Sequence, residues 1–262
     1  MIFSKNSWKA AYAVWQRNVT IYKRSWKMSL LPNFFEPFLY LLGMGVGLGF
    51  YINDSINGIS YLAFIAPGLV ASAAMNGATF ETTYNVFVRM VFDRIYNAYL
   101  GAPVRPRDII FGEMLWAVTR AFIYGVIFLA ILCLYRFLGY DLIQSWLVMF
   151  APLVILLIGV LFAAIGLMFT CLIKSIDFYS YYFTLFLTPL FLFSGIFYPV
   201  TRFPHGETIA WFTPLYHGVR VMRALMLGNF GVSEWISVAW MLVVSAILLS
   251  ISPRFFEKRL TD

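Results

Sequence analysis

Six apolar runs, each close to the length of a bilayer crossing, constrain this chain more than any other feature. They cover roughly residues 34–51, 61–84, 109–135, 146–173, 178–199 and 235–251. A helix needs about 20 apolar residues to cross about 30 Å of hydrocarbon, where every backbone N–H and C=O must be satisfied within the segment. With 61% hydrophobic and only 12% charged residues, a soluble chain of 262 residues would leave more apolar surface in water than solubility allows. The expected fold is therefore an all-α integral membrane protein with six transmembrane helices. Pro189 and Gly195 predict a kink or break in the fifth.

The net charge of +7 fits topology rather than nucleic acid, because Lys and Arg punctuate the gaps between apolar runs instead of forming one patch. With the N-terminus in the cytoplasm, that side holds Lys5, Lys9, Arg17, Lys23, Arg24, Lys27, Arg89, Arg94, Arg105, Arg107, Lys174, Arg254, Lys258 and Arg259. The other side holds Arg136, Arg202, Arg220 and Arg223, so both termini are expected to be cytoplasmic. No short apolar stretch with a small-residue cleavage site opens the chain, and no cleaved signal peptide is expected. Cys133 and Cys171 lie inside apolar runs without a CxxC or a nearby His, and read as buried thiols rather than a disulfide or metal site. His205 and His217 are too isolated to hold a metal.

Residues 1–29 place Trp8, Tyr12, Trp15, Val19, Tyr22 and Trp26 on one helical stripe with lysines on the other faces. That pattern predicts an N-terminal amphipathic interfacial helix, either a plain anchor or one that also borders a docking surface. The segment 86–107 is too polar to cross. Read as a helix over 88–99, it puts Val88, Val91, Phe92, Ile95 and Tyr99 on one face and Arg89, Asp93 and Asn97 on another. Gly101 can end that helix, and Pro103 and Pro106 prevent its continuation. From these residues alone, a passive surface helix and a partner contact stand equally open.

The run Leu100-Gly101-Ala102-Pro103-Val104-Arg105-Pro106-Arg107-Asp108, after a charged amphipathic helix, resembles the cytoplasmic loop of ABC-2 type transporter permeases, where the loop contacts the ATPase. Phe193-Ser194-Gly195-Ile196-Phe197-Tyr198-Pro199-Val200 and Trp211-Phe212-Thr213-Pro214-Leu215-Tyr216-His217-Gly218-Val219-Arg220 resemble that family's external region. Ser72-Ala73-Ala74-Met75 and Thr79-Phe80-Glu81-Thr82 make the chain most like the NodJ-like permeases of nodulation-factor exporters. The resemblance covers essentially the whole chain.

It implies one ABC-2 transmembrane domain over 1–262, with an interfacial helix at 1–29, a coupling loop at 86–107 and an external re-entrant cap at 200–234. It further implies a homodimer bound to two copies of a separate ATPase subunit, which holds the ATP and Mg2+, in the bacterial inner membrane. The cargo would be amphipathic, a lipo-oligosaccharide or lipid-linked saccharide. The coupling contacts would be Arg89, Asp93, Arg94, Asn97, Leu100, Pro103 and Arg105. The chain has no GxxxxGK[ST] loop and no Gly-Lys pair, hence no phosphate cradle of that type, and is expected to be neither an enzyme nor the holder of a cofactor.

Charges inside apolar runs are costly and should face inward. Glu36, Glu81, Glu113 and Arg120 fall in the cytoplasmic half of the predicted bundle. Arg120 sits roughly 16 Å into its span at about 1.5 Å per residue, too deep to escape, so it needs Glu81 or Glu113. Such charges either fix helix order or line a path for a sugar- or phosphate-bearing head group. Glycines 43, 45, 47 and 49 form small-xxx-small pairs suited to packing within the subunit or to a dimer interface. Pro214 opens a helix to about residue 227, too short to cross, and His217, Arg220 and Arg223 on it are candidates for an external gate that meets anionic head groups. Two rival transport readings are an exporter of small hydrophobic compounds and a secondary transporter, although no internal repeat is visible. A membrane enzyme is disfavoured by the lack of a catalytic constellation.

Overall fold

The computed structural model describes residues 5–47, 58–101, 104–137, 139–202 and 204–261, and among these residues there is no strand. Among the described residues, four helices are long and apolar enough to cross a membrane: Tyr61–Phe92, Pro106–Phe137, Trp146–Leu172 and Val232–Arg259. The fifth predicted span is a shorter apolar helix, Phe178–Phe193. The far end of the first lies outside the described residues.

The centre of the bundle is α2 (Tyr61–Phe80), whose most apolar stretch is 94% buried against 22% for α10 (Val232–Thr261). Its composition explains that position. Ala63, Ala66, Gly68, Ala71, Ser72, Ala73, Ala74, Gly77 and Ala78 make it thin, so neighbours close in from every side. Those neighbours are α1 (Lys5–Tyr40), α4 (Pro106–Phe137), α5 (Ala151–Leu172) and α9 (Pro214–Leu227). A Cβ at Gly77 would lie 2.7 Å from the Tyr124 ring and 3.0 Å from the Ala121 Cα, so only glycine permits this approach of α2 to α4. Gly43 and Gly47 differ: among the described residues, a Cβ at either meets nothing within 4 Å.

The helix does not stop near residue 84 as its hydropathy predicts. It continues to Phe92 through wider π turns at Glu81–Asn85 and Val88–Phe92, where the Asp93 N–H reaches the Val88 carbonyl five residues back at 2.9 Å. Side chains take up carbonyls at these turns. Thr170 Oγ1 donates to the Thr82 carbonyl at 2.8 Å, and the Tyr179 hydroxyl donates to that of Thr83 at 3.2 Å.

After Asp93, a left-handed residue, Arg94 (φ 51°), turns the chain into the short α3 (Ile95–Leu100). This break corrects the single helix expected over 88–99. Val91 and Phe92 face outward, and the buried residues are Val86, Phe87, Met90 and Tyr96.

The stretch expected as a separate interfacial helix runs on unbroken as α1 into the first apolar run, with π turns at Leu41–Gly47. Residues 7–22 pack along the first turns of α4, and the contact face is not the aromatic stripe. Ala11, Val14 and Asn18 are the buried residues, because Gly112 of α4 admits them: a Cβ there would lie 2.5 Å from that of Val14. Trp15 and Tyr22 touch α4 from the flank, while Trp8, Tyr12 and Trp26 remain exposed.

The fifth run is α6 (Phe178–Tyr181), a π stretch and α7 (Thr188–Phe193), with Pro189 in the first turn of α7 and Gly195 left-handed (φ 75°) just beyond it. These are the two residues that predict its irregularity. A short helix, α8 (Gly206–Trp211), then leads into α9.

Gly77→Val is expected to lower the folded yield and melting temperature by an overpacking cost of about 1–3 kcal/mol or more. Thermal denaturation of the purified protein checks it.

Candidate functional site

Where α1, α2 and α4 meet, the bundle buries two carboxylates and two guanidiniums together. Glu81 is 1% exposed and Glu113 fully buried. Arg89, one full π-containing stretch beyond Glu81, reaches both: its Nη2 lies 2.6 Å from Glu81 Oε1 and 2.9 Å from Glu113 Oε2. Arg120 approaches Glu81 Oε2 at 3.5 Å. The four charges cancel, which is what a low-dielectric interior requires of buried ions.

Neutral groups complete the cluster. Asn18 of α1 donates to Glu113 Oε2 at 2.9 Å, Asn85 donates to Glu81 Oε2 at 2.9 Å, and the Tyr96 hydroxyl donates to Glu113 Oε1 at 3.0 Å. Burial, with the Glu113 carboxylate beside it, holds the Tyr96 phenol well above its ordinary 10, so it keeps its proton. Arg120 also donates to the Tyr124 hydroxyl and is enclosed by rings, with Tyr22 at 4.7 Å, Tyr124 at 5.0 Å and Trp116 at 5.9 Å. A cleft of about 290 Å³ opens beside the cluster between α1 and the end of α2, with Asn18, Tyr22, Asn85, Arg89, Trp116 and Arg120 among its walls.

The residues expected at the coupling surface divide. Asp93, Arg94, Asn97 and Arg105 are exposed, while Arg89 turns inward and belongs to the ion cluster, a correction to its expected place. The Arg105 N–H donates to Asp108, which caps the start of α4 and also accepts from Ser7 of α1. The side chain of Leu100 and the whole of Pro103 lie outside the described residues, as does the side chain of Glu36. Of the charges expected inside the bundle, Glu81, Glu113 and Arg120 come together. The bridging role of Arg89 and the supporting roles of Asn18 and Tyr96 were not read from sequence. A visible signal for Asn18 is its 3–4 spacing with Ala11 and Val14.

At the opposite end, the three residues expected as an external gate are held by the protein itself. His217 is fully buried, stacked on Trp240 at 4.2 Å, with Nε2 donating to the Trp211 carbonyl at 2.8 Å and Nδ1 3.2 Å from Ser237 Oγ. Arg220 pairs with Glu234 at 3.0 Å, and Glu234 also caps the start of α10 through the Gly231 N–H. Arg223 clamps the carbonyls of Phe64, at 3.1 Å, and Gly195, at 2.8 Å, with its guanidinium 3.9 Å over the Phe64 ring. Burial pushes that guanidinium down to about 10, so it is still charged at neutral pH. His217 and Arg223 are thus committed to partners inside the protein, while the Arg220 side chain, 30% exposed, meets Glu234 through its Nε.

Arg89→Met leaves two buried carboxylates short of a cation, and losing one partner of a buried pair costs roughly 3–5 kcal/mol. The melting temperature should fall sharply, and Arg89→Met combined with Glu113→Gln should recover part of the loss, whereas Arg94→Ala should change little.

Burial holds the His217 ring below its ordinary 6.5, so the folded state binds fewer protons than the unfolded state just below that pH. Stability should therefore be complete above about pH 6.5 and decline as pH falls through the lowered value. Melting curves from pH 8 to about pH 5 should show a decline attributable to this residue that His217→Asn lacks.

The sequence profile described as "ABC-2 type transporter" matches residues 9–227. Nodulation protein J of Rhizobium leguminosarum bv. trifolii is 38% identical over 250 residues, covering 95% of this chain and 93% of that protein. Nodulation protein J of Rhizobium meliloti is 34% identical over 95% of this chain and 93% of its own length. The inner membrane transport permease YadH of Escherichia coli is 28% identical over 92% of this chain and 95% of its own.

Proposed function

Because the chain belongs to the ABC-2 type transporter family, we propose that it is the membrane permease of an ATP-driven exporter whose ATPase is a separate chain. A homodimer of this chain with two ATPase subunits, which carry the ATP and Mg2+, moves an amphipathic substrate across the bacterial inner membrane, with both termini in the cytoplasm. The similarity to nodulation protein J favours a lipo-oligosaccharide or related lipid-linked saccharide as cargo. The likeness to YadH keeps a broader export role as the second reading.

The observation that carries the coupling part is mechanical. Exposed Asp93, Arg94 and Asn97 sit at the end of the helix that forms the bundle's core, and Tyr96 between them reaches Glu113 at 3.0 Å. A push on that loop is borne by α2 along its length, and by α4 through one hydrogen bond. Arg89, held inside the cluster, acts as an internal brace, and the ATPase contact falls to Asp93, Arg94, Asn97 and Arg105. The charge-balanced cluster, with Asn18 and Asn85 beside it on the wall of the cleft, suits a hydroxyl-rich head group.

The test is co-purification with the cognate ATPase in nanodiscs, comparing the wild type with Asp93→Arg plus Arg94→Asp. The expected outcome is a stable complex for the wild type and ATP hydrolysis uncoupled from transport in the variant, with an unchanged melting temperature because both side chains are exposed. Normal transport by the variant would remove these residues from the contact, and failure of the wild type to bind any ATPase would end the exporter reading.

A further inference from the structure

A helix of six residues cannot hold its own place, since a single turn is not self-stabilising. The start of α3 has no side-chain cap, and Ile95 and Tyr99 are only half-buried. What fixes α3 is Tyr96, fully buried, and the ring against which it lies belongs to the other end of the chain. Phe256 of α10 is 1% exposed, with its centroid 5.7 Å from that of Tyr96 at an interplanar angle of 60°.

The surrounding residues of α10 bind the same region. Glu257 accepts two hydrogen bonds from Arg107 at the start of α4, at 2.7 and 3.3 Å, and Arg259 donates to the Ile173 carbonyl at the end of α5, at 2.8 Å. Within one turn, α10 thus touches α3, α4 and the end of α5. A helix leaving a membrane ordinarily ends in exposed basic residues, as Arg254 and Lys258 do here. A buried phenylalanine between them needs a different reason. This stretch also lies beyond the matched family region, which ends at residue 227.

We propose that the end of α10 is the seat of the coupling helix and that Phe256 is a positioning residue for energy transfer. It holds Tyr96 against Glu113, so displacement imposed on Asp93 and Asn97 reaches the ion cluster instead of being lost as α3 pivots. This rests on the coupling reading given above.

The test has two arms on the full-length chain in nanodiscs. In the first, without any ATPase, hydrogen–deuterium exchange of residues 95–101 should accelerate about tenfold in Phe256→Ala, with α2 and α4 unchanged. Unchanged exchange there would overturn the seat. In the second, with the ATPase and a fluorescent lipo-oligosaccharide as the probe, Phe256→Ala should assemble normally with an unchanged KM for ATP. Probe moved per ATP should fall about tenfold, and Phe256→Leu should restore most of it. Wild-type transport per ATP in Phe256→Ala would overturn the positioning role.

Should that variant fold poorly, Tyr96→Phe keeps the ring in its seat and removes only the hydroxyl. Slow exchange with reduced transport per ATP supports the proposal, and unaltered transport refutes it. If the wild type binds no ATPase, the exporter reading fails while the exchange arm still decides the seat.

Discussion

The buried meeting of Glu81, Arg89, Glu113 and Arg120 sets the terms for the rest of the bundle. An unpaired ion in this environment costs several kcal/mol, so each of the four fixes the position of the others. Glu81 and Arg89 come from the helix that runs on from α2, while Glu113 and Arg120 come from α4. Asn18 brings in α1, because its amide donates to Glu113 and its carbonyl oxygen faces Arg89 at 3.4 Å. Three helices are thereby held in one register, and the thinness of α2 and the glycines facing its neighbours allow the backbones to come close enough for short side chains to meet.

The π turns are a condition of this arrangement. A wider turn advances the helix by one additional residue, which rotates every later side chain by roughly 100° relative to a regular helix. Glu81 stands at the first such turn and Arg89 inside the second, so the phase that directs both toward α4 is set there. Thr170 and Tyr179 supply hydroxyls to the carbonyls at the first turn from two other parts of the chain. The polar interior therefore depends on α5 and α6 as much as on the helices that carry the charges.

This also explains what could be read from the sequence. Long apolar runs locate four spans, since roughly 20 apolar residues have one stable use in a membrane chain, but hydropathy misses the polar ends by which the helices at Tyr61–Phe92 and Val232–Arg259 outrun the expected 84 and 251. Pro214 and the left-handed Gly228 (φ 88°) delimit α9, and Pro189 with Gly195 mark the irregular fifth run. Arg89 is misplaced by a regular helical wheel because the wheel assumes constant phase across the π turns and through Arg94. His217 and Arg223 read as surface residues because they are polar on a short helix. In fact α9 is wedged among α2, α5 and α10, and its polar side chains spend their hydrogen bonds on Trp211, Phe64 and Gly195.

The interfaces differ widely in what it takes to move them. Sliding α2 along α4 would separate Arg89 from Glu113 and strand a buried carboxylate, at a cost of several kcal/mol. The seam between α2 and the fifth helix is made differently. Phe183 stacks on Phe80 at 4.8 Å and on Tyr84 at 5.4 Å, and a cavity of about 170 Å³ lies alongside, bordered by Met75, Asn76, Leu187 and Phe191. Among the described residues no ion pair crosses it. Stacked rings contribute about 0.5–1.5 kcal/mol each beyond their buried area and tolerate offset, so rings can slip where ions cannot. The bundle thus divides into a body of α1, α2 and α4 locked by charge and a fifth helix held by aromatic contacts and, at its start, by the buried Tyr179 hydroxyl on the Thr83 carbonyl, so relative motion at that boundary strands no buried ion among the described residues.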